Sequence, residues 1–238
     1  MLEGLFSELN LDLVHKPMMS EAEAGRRLAW QNGVYEEHLK RKKRISIDFH
    51  GRKIVVLRNV FAPVPWDYNL LAKTVLREVK ETDKVLDMGT GSGIQAIIAA
   101  SKSTNVTAVD VNPFAVKCAR LNIKLNKLSS RVKVVESDLF ENIKAKFDLI
   151  IFDPPFRWSK PRNIWERSSA DNDYETLENF FAKVKKYLNR GGRIVMHFGT
   201  SGDISYFKYL IRKNGFKSKR ILKNHEKGWI YFTYRLTC

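Results

Sequence analysis

The sequence predicts an α/β fold with a seven-stranded, mostly parallel sheet, helices on both faces and an antiparallel pair of strands at the end. Two observations lead to this prediction. From residue 84 onward, apolar strand-like segments alternate with helical segments, an order that is typical of a parallel sheet. The last two strands, 217–223 and 229–236, are joined by residues 224–228. This link is too short for a crossover connection, so these two strands should run antiparallel.

A glycine-rich turn after the first core strand is the most informative local feature. The strand ends in Asp87, and Gly89, Gly91 and Gly93 follow within five positions before the next helix. Glycines let the backbone approach a ligand closely, and a helix N-terminus offers free N–H groups and the positive end of a dipole. The spacing fits neither the dinucleotide G-x-G-x-x-G pattern nor a phosphate-binding loop. The turn is therefore predicted to hold a flat or anionic group, or a carboxylate.

The elements after this turn complete the predicted sheet. Asn112 is a suitable N-cap, and Pro113 favours the first turn of the helix after the second strand. The Arg-Gly-Gly segment 190–192 is expected to interrupt the chain before the fifth strand. The expected strands are 85–87, 106–110, 132–136, 147–152 and 193–197. Four helices are expected between or after them: one begins at residue 94, one begins at residue 113, and the other two cover about 174–188 and 203–213.

A second candidate site follows the fourth core strand, in the segment Phe152-Asp-Pro-Pro-Phe156. In an open α/β sheet, ligands bind beside the carboxyl ends of the strands. Asp87, Asp110 and Asp153 are therefore expected to line one crevice. The two prolines fix two backbone dihedral angles, which would hold one carbonyl group towards the site.

Together these segments resemble the class I S-adenosylmethionine-dependent methyltransferases. Val85-Leu-Asp-Met-Gly-Thr-Gly-Ser-Gly93 is similar to their glycine motif, and Val106-Thr-Ala-Val-Asp110 to their second strand with its ribose-binding acid. Asp-Pro-Pro-Phe is similar to the Asn/Asp-Pro-Pro-aromatic signature of the members that methylate planar amino groups. The resemblance implies a Rossmann-like fold, an N-methyltransferase activity and S-adenosylmethionine as the cofactor.

The resemblance also implies roles for individual residues. An amide or exocyclic amino nitrogen is a poor nucleophile because its lone pair is delocalised, and hydrogen bonds from its N–H groups to the Asp153 carboxylate and the Pro154 carbonyl would counter this. Phe156 would stack on the planar group. The catalytic set is Asp153, Pro154, Pro155 and Phe156. The implied cofactor-binding set is Phe61, Pro63, Asp87, Gly89, Thr90, Gly91, Gly93, Asp110, Val111, Asp138, Leu139 and Asp153.

Residues 1–60 are predicted to be an extension of the methyltransferase domain, which would cover residues 61–238. A capping box at Ser20–Glu23 favours a helix over residues 22–30. Alternating apolar residues on either side of His50-Gly51 favour a β-hairpin. The following segment, with Phe61, Pro63 and Pro65, resembles the one that precedes the core of the release-factor glutamine methyltransferases. This extension is a candidate for substrate recognition.

Charge is the strongest compositional signal. The 238 residues include 42 Lys and Arg against 26 Asp and Glu, a formal net charge of +16. Such a balance favours a polyanionic partner, and nucleic acid is the common one. The leading hypothesis is an RNA base as the acceptor. The alternatives are a glutamine in a protein such as a release factor, and a non-catalytic RNA-binding protein that keeps the cofactor fold.

Other compositional features suggest a cytoplasmic protein that binds neither a membrane nor a metal. The two cysteines, Cys118 and Cys238, form no disulfide framework, and the five histidines show no metal-ligand spacing. Segment 157–172 interleaves cations with two tryptophans. Two interpretations of this segment stay open, a base-stacking and phosphate-binding loop or tryptophans packed on the core. His197 is predicted to be a packed or hydrogen-bonded histidine rather than a base.

Overall fold

The computed structural model describes residues 18–40, 44–62 and 65–238. The implied cofactor contact Pro63 lies outside these residues. Residues 40–44 are five consecutive cations, of which residues 41–43 also lie outside. The helices are α1 (Glu21–Leu39), α2 (Pro65–Glu78), α3 (Ile94–Ala99), α4 (Pro113–Leu125), α5 (Glu175–Val184) and α6 (Ile204–Lys213). The strands are β1 (Arg44–Phe49), β2 (Arg52–Leu57), β3 (Lys84–Met88), β4 (Asn105–Asp110), β5 (Val132–Glu136), β6 (Phe147–Phe152), β7 (Leu188–Gly199), β8 (Lys217–Glu226) and β9 (Trp229–Thr237).

The main sheet has the predicted seven strands in the order β5-β4-β3-β6-β7-β9-β8. Strands β3 to β7 pair in parallel, and β9 runs antiparallel to both β7 and β8. The prediction of a mostly parallel sheet with an antiparallel end is confirmed. The order reverses between β3 and β6, and ligands bind at such a switch point in open α/β sheets.

Successive side chains of a strand point to opposite faces of the sheet. Because helices cover both faces, the strand residues contribute alternately to two apolar cores. Leu86, Ile150 and Met196 pack with α1, α5 and α6 on one face. Val85, Ile151 and Val195 pack with α2, α3, α4 and the β1–β2 hairpin on the other face. The expected helices on both faces are therefore present.

Several helices begin where the sequence places an N-cap. The Asn112 side chain accepts a hydrogen bond from Phe114 N, and Pro113 occupies the first turn of α4. The Asp203 side chain accepts one from Tyr206 N at the start of α6. Ser20 caps α1 by accepting from Glu23 N.

The N-terminal helix is longer than predicted and is attached to the core. It continues to Leu39 instead of ending near residue 30, and its second half is also attached to the core, since Gln31 and His38 are buried as Ala24 and Leu28 are. Arg27 Nε donates to the carbonyl of Thr200 over 2.5 Å, and Gln31 Nε2 donates to that of Ser201 over 2.8 Å. The helix is thereby fixed beside the carboxyl end of β7.

The predicted break at residues 190–192 is wrong. β7 is continuous through these residues, and the irregularity takes the form of a register shift, with Phe147 opposite Leu188 but Leu149 opposite Arg193. Gly191 has φ +75°, a conformation that glycine adopts without strain. The last hairpin turns at Lys227-Gly228, so its strands reach further than expected.

Candidate active site

The strand register explains why the candidate site forms at the carboxyl edge of the sheet. Phe152 at the end of β6 lies opposite Met88 of β3 on one side and Met196 of β7 on the other. The residues that follow these three are Gly89, Asp153 and His197. The glycine turn and the Asp-Pro-Pro-Phe segment are therefore neighbours.

The glycine turn takes the positive φ angles that its composition permits. Gly89, Gly91 and Gly93 have φ of +65°, +57° and +87°. Gly93 serves packing, since a Cβ atom there would lie 3.2 Å from both Cα and Cβ of Ala119 on α4. Gly93 also lies outside the lining of the cavity described below.

Asp87 is a buried carboxyl group held by the turn and the next helix. Oδ2 accepts from Thr90 Oγ1 over 2.5 Å and from Ala96 N of α3 over 3.0 Å. Burial, together with the nearby Asp110 and Asp153, raises the pKa of Asp87 to about 7, against the opposing effect of these two hydrogen bonds. A cation placed here would favour the ionised carboxylate.

Asp110, at the end of β4, is fixed through both oxygens. Oδ2 accepts from Gly91 N over 2.8 Å, and Oδ1 accepts from Asn112 N over 2.9 Å. Burial raises the pKa of the carboxyl group in spite of these bonds. The acid thus joins the glycine turn to the start of α4.

A cavity of about 180 Å³ opens over the glycine turn. Ten of the implied cofactor-binding residues line it: Phe61, Asp87, Gly89, Thr90, Gly91, Asp110, Val111, Asp138, Leu139 and Asp153. Ile164, Arg167 and Ser168 from the segment after β6 close its rim. Arg167 Nη2 lies 3.1 Å from Asp138 Oδ2, and both side chains are half-buried.

A second, larger groove of about 740 Å³ adjoins this cavity. Asp153 and Phe61 line both spaces. The next residues alternate, because Pro154 and Phe156 line the groove whereas Pro155 lines the cavity. The Asp-Pro-Pro-Phe segment is therefore the wall between two pockets, which is the arrangement that transfer of a group from one bound molecule to another requires.

Several aromatic side chains line the larger groove, together with polar and charged ones. α1 contributes Trp30 and His38, β9 contributes Tyr231, and the segment after β6 contributes Trp165. The His38 ring stacks on the Trp165 indole with their centroids 3.6 Å apart. The N-terminal helix thus forms one side of the groove.

His197 is the polar neighbour of Asp153, and the sequence did not reveal this pairing. Its Nδ1 lies 3.0 Å from Asp153 Oδ1, and its side chain is fully buried. The prediction of a packed, hydrogen-bonded histidine is confirmed. The signal that could have located the partner is register, since parallel pairing of β6 with β7 sets residue 197 beside residue 153.

The segment 157–172 packs its tryptophans inward, and this decides between its two interpretations. Trp158 and Trp165 are almost wholly buried, and so is Arg157. Glu166 accepts from Arg157 Nη1 and Arg162 Nη2, each over 2.6 Å. Arg162 is exposed on its side chain. Trp158 is enclosed, and Trp165 lines the groove with its ring stacked on His38, so the segment does not form an open surface of stacked indoles.

Metal-binding clusters and bilayer-spanning helices are both absent from residues 18–40, 44–62 and 65–238. This described part of the chain contains no cluster of three or more His, Cys, Asp or Glu residues that could hold a metal ion. None of its helices combines the length and the apolar character needed to cross a bilayer. Both cysteines are free, Cys118 buried and Cys238 exposed.

The sheet order, the glycine turn with its acids and the Asp-Pro-Pro-Phe wall define the class I S-adenosylmethionine-dependent methyltransferases. The family model described as "Methyltransferase small domain" matches residues 51–231. The chain belongs to this family, and its cofactor is S-adenosylmethionine.

Relatives with different acceptors are similar to the chain. A Methanocaldococcus jannaschii protein, provisionally named protein N5-glutamine methyltransferase, is 36% identical over 153 residues, which are 61% of this chain and 75% of that protein. The ribosomal RNA small subunit methyltransferase C of Haemophilus influenzae is 32% identical over 145 residues, 59% of this chain but 40% of that protein. The solved structure of M. jannaschii TYW2 in complex with AdoMet matches the fold with a TM-score of 0.56 and 20% identity, covering 82% of this chain and 86% of the other.

Proposed function

We propose that the chain methylates the exocyclic amino nitrogen of a base in RNA. The observation that carries the proposal is the position of Asp153-Pro154-Pro155-Phe156 between the cavity over the glycine turn and the aromatic groove. The cavity would take the methyl donor and the groove would take the acceptor. RNA as the substrate implies a location in the cytoplasm.

The donor would be held by the residues that line the cavity. S-adenosylmethionine supplies a methyl group made electrophilic by its sulfonium charge. Asp110 would accept hydrogen bonds from the ribose hydroxyls, as an acid after the second strand does in dinucleotide-binding folds. Asp87 would lie near the methionine ammonium group, whose charge favours the ionised carboxylate. Asp138 and Leu139 would contact the adenine ring, which requires Arg167 to share or release Asp138.

The acceptor would be held by the wall segment. Asp153 and the Pro154 carbonyl would accept the two N–H groups of the planar amine, and Phe156 would stack against the ring. The amino nitrogen would form a bond to the methyl carbon as the carbon–sulfur bond breaks, the electron pair would stay on the sulfur, and one proton would pass from the nitrogen to Asp153 or to solvent. Catalysis would come from positioning and exclusion of water, without a covalent enzyme intermediate.

RNA is favoured over protein by charge and by the shape of the groove. Strand β8 is an edge strand of the sheet, and its exposed cations form what we call the cationic edge: Lys217, Lys219, Arg220 and Lys223, continued by Lys227 in the following turn. Because β8 runs parallel to β7, this edge leads towards the site, and Lys227 lines the groove. Cations in such a row suit a phosphate backbone, and aromatic walls suit a base.

A protein glutamine is the second candidate acceptor. It is favoured by the M. jannaschii relative, of which the chain covers 75%, and by the resemblance of Phe61 and Pro65 to the release-factor enzymes. The side-chain amide of glutamine is also planar, so the same wall segment would hold it. The division into an extension (1–60) and a methyltransferase domain (61–238) applies to either acceptor and remains a proposal.

A labelling experiment distinguishes the two acceptors. The purified protein is incubated with methyl-labelled S-adenosylmethionine and a cell extract, and the label is measured separately in RNA and in protein. We expect label in RNA, sensitive to nuclease, with uptake falling steeply as salt rises because phosphate contacts weaken. Label confined to a nuclease-resistant protein band would favour the glutamine acceptor and refute the RNA proposal.

The cationic edge gives a second, more local prediction. Replacing Lys217, Lys219 and Lys223 with glutamate is expected to lower RNA affinity at least about tenfold and to reduce the slope of log K against log salt by about three, one unit for each lost phosphate contact. Filter binding across a salt series measures both quantities. The matched control replaces three exposed lysines near β5, at the opposite end of the sheet, Lys124, Lys133 and Lys144. Equal effects of the two triple variants would show that only total charge matters.

A further inference from the structure

We propose that His197 is a positioning residue that holds Asp153 in its acceptor-binding orientation. The inference rests on the proposed role of Asp153. It gives a role to His197, which lies outside the Asn/Asp-Pro-Pro-aromatic signature. His197 would donate its Nδ1–H to Asp153 Oδ1, so that the amino group of the acceptor is received by Oδ2.

The geometry around His197 suits a fixed donor. Its side chain is fully buried, whereas that of Asp153 is 42% exposed to the two pockets. The imidazole lies between the rings of Phe156, at a centroid distance of 5.3 Å, and Tyr231, at 5.7 Å with an interplanar angle of 26°. Packing on both sides restricts rotation of the ring, so Nδ1 remains directed at the carboxylate.

The contact answers a physical need of the site. Asp153 follows the last residue of β6 and lies in irregular backbone with one side open. Without a partner, a half-exposed carboxylate samples several rotamers, and displacement of a reacting group by about 1 Å can cost about a hundredfold in rate. A hydrogen bond to a charged oxygen is also stronger than one between neutral groups. A buried imidazole would therefore order the carboxylate and favour its ionised form.

Other charged groups face the same carboxylate and bear on its ionisation. Asp87 is close enough to interact electrostatically with Asp153. Among the described residues, the other charged or titratable groups that line the two pockets are Asp110, Asp138 and Arg167 in the cavity and Glu36, Glu37, His38, Arg157, Lys227 and Tyr231 in the groove. These groups are the same in wild type and His197 variants, so a change in the pH profile would report on the imidazole.

Two substitutions separate positioning from packing. His197→Phe keeps a planar ring but removes the donor, whereas His197→Asn keeps an amide N–H near the position of Nδ1. We expect the phenylalanine variant to lose about 10- to 100-fold in kcat, the range for a hydrogen bond to a charged group. Its affinity for S-adenosylmethionine should stay within about twofold. The asparagine variant should recover most of kcat. His225→Phe, exposed on β8, is the control for substitution of a histidine by phenylalanine.

The pH profile supplies a readout that a structural role would not affect. In His197→Phe the acidic limb of the kcat profile should move to higher pH, because the ionised carboxylate has lost a donor. In an Asp153→Ala background the same substitution should have no further effect on the residual rate. A folded His197→Phe protein with wild-type kcat, or an asparagine variant as slow as the phenylalanine variant, would overturn the inference. If the phenylalanine variant does not fold, the asparagine variant's kcat and pH profile decide. Failure of the proposed function would differ, because the label would then appear in protein instead of RNA, whereas failure of the role of Asp153 would leave Asp153→Ala active.

Discussion

Asp153→Ala is expected to lower the rate of methyl transfer about a thousandfold, with the affinity for S-adenosylmethionine changed by less than about threefold. The carboxylate belongs to the wall between the two pockets, and its proposed contact is with the acceptor nitrogen at the moment of transfer. Loss of one group directed at the reacting atoms costs on the order of 10² to 10³ in rate, and disorder of the acceptor adds to this. Single-turnover rates and calorimetric titration of the cofactor measure the two quantities.

Two further variants sharpen this experiment. Glu141→Ala removes an exposed carboxylate that lines neither pocket and should leave both quantities unchanged. Asp153→Asn keeps an acceptor oxygen but cannot take up a proton, so it tests whether the carboxylate is a base or only a hydrogen-bond acceptor. Unchanged turnover in Asp153→Ala would remove the catalytic role, and loss of cofactor binding would reassign the residue to the donor side.

The parts of the fold that the sequence predicts are those set by local patterns. Alternating apolar segments give the strands of the sheet, and the caps Ser20 and Asn112 mark two helix starts correctly. The predicted break at residues 190–192 is wrong because it relied on the tendency of two consecutive glycines to end an element. In the structure, pairing of β6 with β7 extends the strand through these glycines. Tertiary pairing thus outweighs local preference at that point.

The candidate site was predictable where backbone chemistry is distinctive. The glycine turn, Asp87, Asp110 and the Asp-Pro-Pro-Phe segment follow from strand ends and unusual residues. Gly93 was grouped with the cofactor residues because of spacing, but its nearest neighbour is Ala119 on α4. Close approach of a helix and approach of a ligand both require glycine, and sequence alone does not distinguish them.

Contacts between distant segments are what the sequence could not supply. Arg157 bonds to the carbonyl oxygen of Gln31 and to Asn32, some 125 residues earlier, and His197 bonds to Asp153. Neither pairing leaves a periodic or compositional trace. The sequence likewise did not predict that α1 continues along the groove, because that part of the helix depends on tertiary packing.

Glu166→Ala is expected to lower the free energy of unfolding by about 3–5 kcal/mol, the cost of leaving a buried charge without its partner. Glu166 is only 1% exposed and is the carboxylate to which Arg157, itself 1% exposed, is paired. Burial lowers the pKa of Arg157 to about 10, although Glu166 acts to raise it. Urea titration followed by circular dichroism measures the change in unfolding free energy. An unchanged m, the slope of that free energy against urea concentration, would show that the variant exposes the same surface on unfolding as wild type.

Loss of Glu166 should also impair both pockets, because the segment it organises lines each of them. Ile164 and Arg167 close the cavity, whereas Arg157 and Trp165 form part of the groove. We therefore expect KM to rise for both donor and acceptor in any folded Glu166→Ala protein, and faster amide exchange over residues 157–172. A rise in KM for only one of the two substrates would mean that the ion pair organises one pocket only.

The matched control is Arg162→Ala, which removes the other partner of the same carboxylate. Arg162 is 46% exposed on its side chain, so its loss should cost less than about 1 kcal/mol.

Burial alone would raise the pKa of Glu166, but hydrogen bonds from Arg162 and the charge of Arg157 outweigh it and hold the pKa below its usual value. The stabilisation from Glu166 is therefore present above the unfolded pKa of glutamate, about 4.3, and is lost as pH falls through the lower folded value. The difference in unfolding free energy between wild type and Glu166→Ala should shrink over that acidic range, and a difference that persisted at the lowest pH would assign the stabilisation to packing rather than charge.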